Sequence, residues 1–352
     1  MTSSVNLDEP ALIQWMDEQQ LGHGPLTDLG PLGGGTQNVV LAFSRAGRRF
    51  VLRMPPEHKR ASSDETMRRE ARILAALAGS RVPHPRLIAA CPDDGYLGAA
   101  FYLMEPVDGF NPAEDSADAL RADRAAQHAL GLSMIDSLLA LAEVDVDAVG
   151  LADLGSRDRW LERQARRWAR RLARYRGPAS YSRPRDDLTT SLTWWLQAHL
   201  PPGWHPGLVH GDYHLGNVLV SRNAPKLAAI VDWELATIGD PLLDLGHLLA
   251  TWPRGGLCRL FASDLLPSLP TVDELIAHYA ARSNRDLTDL HWYRVLAGLR
   301  LGAILEGTYV RSLNKEAPAE LGARFRALVL ELFDGAYKLA AARSPGTRAG
   351  GA

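Results

Sequence analysis

At 352 residues the chain is long enough to bury a large core and to form two domains or one two-lobed unit. An apolar fraction of 46%, a charged fraction of 23% and a net charge of -2 exclude a disordered chain and a nucleic-acid-coating one, so no nucleic-acid partner is expected. Cys91 and Cys258, far apart in sequence, exclude a disulfide framework, and with an acidic N-terminus and no run near about 18 apolar residues the expectation is a cytoplasmic protein with no membrane partner.

In chain order, a short helix is expected over Pro10–Gln20, followed by a segment around Leu26–Leu32 and a Gly-rich turn, Pro31–Asn38. Val39–Phe43 and Arg49–Arg53 alternate as strands about the hairpin turn Arg45-Ala-Gly-Arg48, and Pro55-Pro56 closes the second. Asp64–Leu77 reads as a helix with Met67, Ala71, Leu74 and Leu77 on one stripe, and strands follow near Arg86–Ala90 and Ala99–Glu105. From Asp115 to Leu200 the pattern is helical, with Trp160, Trp168, Trp194 and Trp195 spaced through it. Short apolar strands occupy Leu208–Asp244, and helix returns from Thr271 to about Ala342. This order predicts an α+β fold: a small antiparallel β lobe over residues 1–106, joined near Val107–Gly109 to a mainly helical lobe over 107–340, then a frayed tail, 341–352.

The chemistry concentrates in LVHGDYHLGNVLV, residues 208–220. A turn accounts for Gly211 and Gly216 but not for His210, Asp212, His214 and Asn217 between two apolar runs. Further on, AIVDWE ends a strand at Asp232, fifteen residues past Asn217, so a hairpin over Val218–Val231 carries both at its open end. An amide oxygen and a carboxylate, beside the separate carboxylate of Asp212, suit Mg²⁺ on phosphates plus a base for a hydroxyl.

HGDYHLGN followed by IVDWE resembles the motifs of the aminoglycoside phosphotransferase and choline kinase family, whose fold is similar to that of protein kinases. GGGTQN resembles the loop over the phosphates, FVLR the phosphate-anchoring strand, ETMRREARIL the bracing helix, FYLMEPVDG the adenine hinge, and DPLLDLG the segment bracing the catalytic loop. The likeness spans roughly residues 28 to 310, and its phrasing is most similar to the kinase-like N-terminal branch of acyl-CoA dehydrogenase family members 10 and 11. It implies a two-lobed protein-kinase-like fold and transfer of the γ-phosphoryl of ATP, with Mg²⁺, to a small-molecule hydroxyl acceptor. The acceptor it suggests is a hydroxyacyl-CoA-like metabolite or an antibiotic. By the same likeness Asp212 is the catalytic base, Asn217 and Asp232 are metal ligands, His210 braces the loop, and Glu70 pairs with the strand cation. Nucleotide contacts fall to Gly33, Gly34, Gly35, Thr36, Gln37, Asn38, Arg53, Met104, Glu105 and Val107. One departure stands out: Arg53 occupies the position of the usual lysine, and the chain holds only Lys59, Lys226, Lys315 and Lys338.

Simpler readings compete. His210 and His214 have the i, i+4 spacing of a zinc helix, but the glycines between them oppose a helix. His214 reads as a packing residue, Glu70 as one partner of a solvated intrahelical pair, and the Gly33–Gly35 run as a plain turn. The tryptophans between 160 and 204 are expected mostly in the core, with Asp145–Arg159 and the Trp-rich helices after it shaping an acceptor pocket. An inactive, nucleotide- or metabolite-binding member is the alternative function, supported by Arg53.

Overall fold

The structure is a computed structural model that describes residues 7–32, 38–113, 118–178, 181–182, 186–261 and 266–342. Helix α1 (Glu9–Glu18) starts at Asp8, whose side chain accepts the Ala11 N–H at 3.0 Å. Strands β1 (Thr27–Pro31), β2 (Val39–Arg45) and β3 (Arg48–Met54) are antiparallel, and β2 and β3 meet at Ala46-Gly47, both with positive φ. Two left-handed residues in a two-residue loop match the twist of the flanking strands. After helix α2 (Ser63–Ala76) come β4 (Leu87–Cys91) and β5 (Phe101–Met104), giving one five-stranded antiparallel sheet in the order β1-β2-β3-β5-β4.

Alternation along the strands decides what this sheet presents. Phe50, Leu52, Phe101 and Leu103 face one side, where Leu12, Trp15 and Met16 of α1 cover them. Arg53 and Tyr102, a register pair on β3 and β5, therefore share the other face, against which α2 packs. The arginines of α2 are not merely solvated: Arg69 donates to the carbonyl of Ala236 at 2.9 Å, and Arg72 pairs with Asp153. They fasten α2 to the helical lobe.

Strand β6 (Gly109–Phe110) continues from the connection and leads to α3 (Asp118–Ala122) and α4 (Arg124–Ala142). Helix α4, with mean hydropathy 1.2, has the length and composition of a membrane span, but it packs on later elements as a core helix, with Leu130, Met134 and Ile135 fully buried. The expected helical stretch 115–200 is broken over 143–159 before α5 (Trp160–Arg174) and α6 (Asp186–Ala198). In that break Leu151 and Leu154 are buried, so the segment is a core-packed loop.

Strand β7 (Gly207–Val209) enters the motif loop, and β8 (Val218–Ser221) and β9 (Leu227–Ile230) form the expected hairpin, flanked by β6 on the outer edge of β8. A three-residue strand, β10 (Thr237–Gly239), pairs with β7. The remainder is α7 (Leu242–Thr251), α8 (Val272–Ala280), α9 (Leu290–Leu313) and α10 (Ala319–Ala342). Helix α9 is the hub, buried over most of its length between α7 and α10. Ala341 and Ala342 belong to α10, against the expected start of a tail at 341; residues 343–352 lie outside the described residues.

Candidate active site

Gly211 makes the sharp turn out of β7. Its φ is +83°, and a Cβ there would meet the Leu235 carbonyl oxygen at 2.5 Å, so neither conformation nor space admits a side chain. Gly211→Ala is expected to cost more than about 2 kcal/mol, read as a lowered midpoint in thermal or urea unfolding. The turn is held from α7: Asp244 accepts the His210 N–H at 2.6 Å on one carboxylate oxygen and the Gly211 N–H at 2.8 Å on the other. This is the bracing expected of DPLLDLG.

His210 is fully buried, and its two ring nitrogens are satisfied in one tautomer. Nδ1 accepts the Asp212 N–H at 3.2 Å and Nε2 donates to the Val231 carbonyl at 2.9 Å. The imidazole thus ties the apex of the loop to the strand leading into Asp232, and burial lowers its pKa so that it stays neutral.

Asp212 stands at the apex with a side chain about a quarter exposed (25%). Three donors converge on its carboxylate. Asn217 Nδ2 donates to Oδ2 at 3.0 Å and to the Asp212 carbonyl at 2.9 Å; His214 Nε2 lies 3.6 Å from Oδ2, and His247 Nε2 lies 3.2 Å from Oδ1. Burial pushes the Asp212 carboxyl up, but the two histidines outweigh it and hold the group well below its ordinary value. His214, expected only to pack, is therefore a partner of Asp212 as well as a neighbour of Phe261. The zinc-helix reading of His210 and His214 fails because the segment is a loop with a one-turn 3₁₀ segment at Leu215–Asn217.

Across the cleft the β3 cation and its brace are in place. Arg53 Nε is 2.9 Å from Glu70 Oε2, and Arg53 NH2 is 2.7 Å from Asp232 Oδ1. Glu70 is 1% exposed, and the Tyr102 hydroxyl donates to its Oε2 at 2.7 Å, so the solvated-pair reading is wrong. Burial pushes the Glu70 carboxyl up, while Glu70 and Asp232 push the Arg53 guanidinium up against its own burial. The pair's charge rests on Arg53, which keeps its proton throughout the accessible pH range.

Asp232 sits at φ 65°, ψ 64°, a left-handed conformation that Asp and Asn tolerate better than other L residues. With Val218 opposite Ile230, and the Val231 N–H donating to the Asn217 carbonyl at 3.0 Å, Asn217 and Asp232 do share the open end of the hairpin. Because the Asn217 amide nitrogen is committed to Asp212, the ligand it can offer is its oxygen. Carboxylate oxygens of Glu70, Asp232 and Glu234 lie within 4.8 Å of one another. Burial, then the charges of Asp232 and Glu70, push the Glu234 carboxyl up to about 7. An all-oxygen cluster short of positive charge fits a hard divalent cation such as Mg²⁺.

Among the remaining sequence candidates, Met104, Glu105 and Val107 are half-buried where β5 passes towards β6, and the Glu105 N–H donates to the Arg86 carbonyl at 2.8 Å. Asn38 immediately precedes β2; Gly33, Gly34, Gly35, Thr36 and Gln37 lie outside the described residues. Trp160 and Trp168 are buried as expected. Trp194 is 68% exposed, and with Trp195 and Tyr337 it lines a separate groove of about 470 Å³ between α6 and α10 that includes no residue of the motif loop. Trp194 and Trp195, on one of the helices expected to shape an acceptor pocket, thus line a groove that holds no residue of the motif loop.

Sequence reasoning missed Tyr102, Glu234, His247 and Arg300. Tyr102 was legible in principle as the one polar side chain in FYLM; His247 lies one helical turn after Asp244 in the otherwise apolar LLDLGHLLA. His247 is fully buried, and burial lowers its pKa from 6.5 to about 4. The unfolded chain then binds more protons than the folded one between these values, so stability rises with pH through that window. His247→Gln should remove up to about 3 kcal/mol of the difference between the two ends, measured by urea unfolding as a function of pH.

Three comparisons bear on the family and fold of the chain. The model of the phosphotransferase enzyme family matches residues 28–296. Among curated proteins, mouse acyl-CoA dehydrogenase family member 10 is 31% identical over 80% of this chain and 26% of its own length, and rat acyl-CoA dehydrogenase family member 11 is 29% identical over 79% and 36%. The chain thus spans about a quarter to a third of those two relatives. A solved structure from Ralstonia eutropha, described by its solvers as a candidate aminoglycoside phosphotransferase, is 28% identical, with a TM-score of 0.75 over 95% of this chain and 99% of that one. Aminoglycoside phosphotransferase APH(4)-Ia, solved in ternary complex with AMP-PNP and hygromycin B, shares the fold at 16% identity, with a TM-score of 0.59 over 96% of this chain and 99% of its own. With its two-lobed kinase-like fold, this chain belongs to the phosphotransferase enzyme family.

Proposed function

We propose that this protein is a small-molecule kinase that moves the γ-phosphoryl of ATP to an alcohol. The observation that carries the reading is Asp212: a carboxylate at a loop apex, held on Oδ2 by the Asn217 amide, flanked by the His214 and His247 rings and facing solvent on its remaining side. A base so held orients an acceptor hydroxyl without needing high proton affinity, which suits a loose phosphoryl-transfer transition state. Arg53, braced by Glu70 and Tyr102, supplies a fixed guanidinium that can fork onto phosphate oxygens. Asn217, Asp232 and Glu234 would hold Mg²⁺, which when bound neutralises charge on the nucleotide phosphates. Residues 1–106 would serve as the nucleotide lobe and 107–340 as the lobe carrying the acceptor.

The acceptor we favour is an anionic hydroxylated metabolite, with a hydroxyacyl-CoA as the first example, ahead of a polycationic antibiotic. Burial, then the charges of Arg171 and Arg163, lowers the pKa of Arg167 on α5, and burial, then Arg60 and Arg171, lowers that of Arg311. Arg167 and Arg171 stack on Trp168, whose ring also carries Arg300, the neighbour of His247. Guanidinium groups gathered around Trp168, one of them beside His247, would repel polyamines and attract phosphates. Calorimetric titration with ATP and GTP, with and without Mg²⁺, followed by turnover on hydroxyacyl-CoAs and aminoglycosides, tests the reading. Mg²⁺-dependent ATP binding with transfer to the thioester supports it. Binding without transfer to any alcohol would favour the inactive, ligand-binding alternative.

A further inference from the structure

Behind Asp212 lies a buried row of groups that no sequence motif announces. Arg300, on the apolar α9 stretch LAGLRLGAIL, is 5% exposed; its guanidinium lies 5.2 Å from the Trp168 ring centroid and its NH1 lies 3.4 Å from His247 Nδ1. A guanidinium has only hydrogens to offer, so Nδ1 must present a lone pair. The imidazole hydrogen is thereby placed on Nε2, a buried atom 3.2 Å from Asp212 Oδ1 that forms no aligned hydrogen bond among the described residues. His214 obeys the same logic from the opposite side: the Gly216 N–H donates to its Nδ1 at 3.0 Å, leaving Nε2–H towards Asp212.

By distance alone Asp212, His214 and His247 could close on a metal ion, their ligand atoms lying within 4.8 Å of one another. Their tautomers argue otherwise, because both Nε2 atoms are committed as donors and a metal needs lone pairs. We infer that Arg300 and His247 form a positioning relay, in which the Arg300 guanidinium fixes His247 as its Nε2–H tautomer so that it aims and steadies Asp212 Oδ1. At 3.2 Å the two atoms are within reach but not aligned as a hydrogen bond, as catalytic contacts often are before substrate tightens them. Both residues are positioning residues, reaching the reaction only through Asp212. The catalytic consequence rests on the phosphotransfer reading; the tautomer does not.

The test combines two readouts on the full chain. Long-range ¹H–¹⁵N spectra of the histidine rings should show His247 protonated at Nε2 alone near neutral pH in the wild type. In Arg300→Met, the Nδ1–H form should appear. Steady-state turnover of Mg-ATP with water as acceptor should fall roughly 10- to 100-fold in kcat for His247→Leu and Arg300→Met with KM for ATP unchanged. His247→Gln, whose amide can still donate, should recover most of it. A wild-type His247 carrying its proton on Nδ1, or His247→Leu with wild-type kcat, overturns the relay while leaving the kinase reading intact. A wild type that never turns over ATP but shows the Nε2–H form, lost in Arg300→Met, fails the kinase reading and upholds the tautomer lock.

Discussion

Replacing Asp212 with alanine should lower phosphoryl transfer by about 10²- to 10⁴-fold while leaving Mg-ATP binding nearly intact. The separation is expected because the loop does not depend on the Asp212 side chain for its shape. Asp244 holds the His210 and Gly211 amides, and His210 links the Asp212 amide to the Val231 carbonyl. Removing the carboxylate takes a side-chain acceptor from the Asn217 amide and the neighbouring charge from the His214 and His247 rings, a cost of about 1–3 kcal/mol in stability. Rapid-quench or coupled-assay kinetics with a hydroxyl acceptor give kcat, and calorimetry gives nucleotide affinity. Undiminished turnover in the variant would remove Asp212 from the mechanism, and loss of ATP binding would mean that the loop had collapsed.

The second large effect is expected at Asp232. Asp232→Asn should weaken Mg²⁺-dependent ATP binding roughly 10- to 100-fold and leave metal-free binding almost unchanged. Asparagine is the informative substitution because position 232 is left-handed: alanine would add backbone strain of about 1–2 kcal/mol and confuse loss of a ligand with loss of structure. The change also takes one carboxylate from Arg53, which keeps Glu70. Paired titrations with and without Mg²⁺ separate the two effects. Equal affinity in the wild type and the variant at every Mg²⁺ concentration would place the cation elsewhere.

Much of the site was legible because its residues are packed into short, contiguous motifs. Asp212, Asn217 and Asp232 fall where the loop and hairpin put them, and Arg53 with Glu70 follows from strand alternation beside a helix that must cover the sheet. The hairpin at Ala46-Gly47 carries its own turn chemistry. What escaped were contacts between distant segments. Strand β10 has three residues, too few to alternate, and exists because β7 needs a partner. The helix break at Asp123 is a local cap, its side chain accepting the Ala126 N–H at 2.9 Å, whereas the break over 143–159 draws Leu151 and Leu154 inward against the helical composition around them. Trp194 faces solvent because α6 turns its other face, Leu188, Leu192 and Leu196, to the core. His247 and Arg300 sit in apolar stretches of their helices, and only the crossing of α7 and α9 reveals that they meet.

On the kinase reading, the surroundings of Asp212 also bear on where a proton could go. Asn217 Nδ2 donates to this carboxylate, and the Nε2 atoms of His214 and His247 lie 3.6 Å and 3.2 Å from it, each assigned as the protonated nitrogen. A proton taken there from a hydroxyl would find no lone pair on these three groups, so its exit would lie on the exposed side of Asp212. Recovery of the free carboxylate would then depend on that side being open to water.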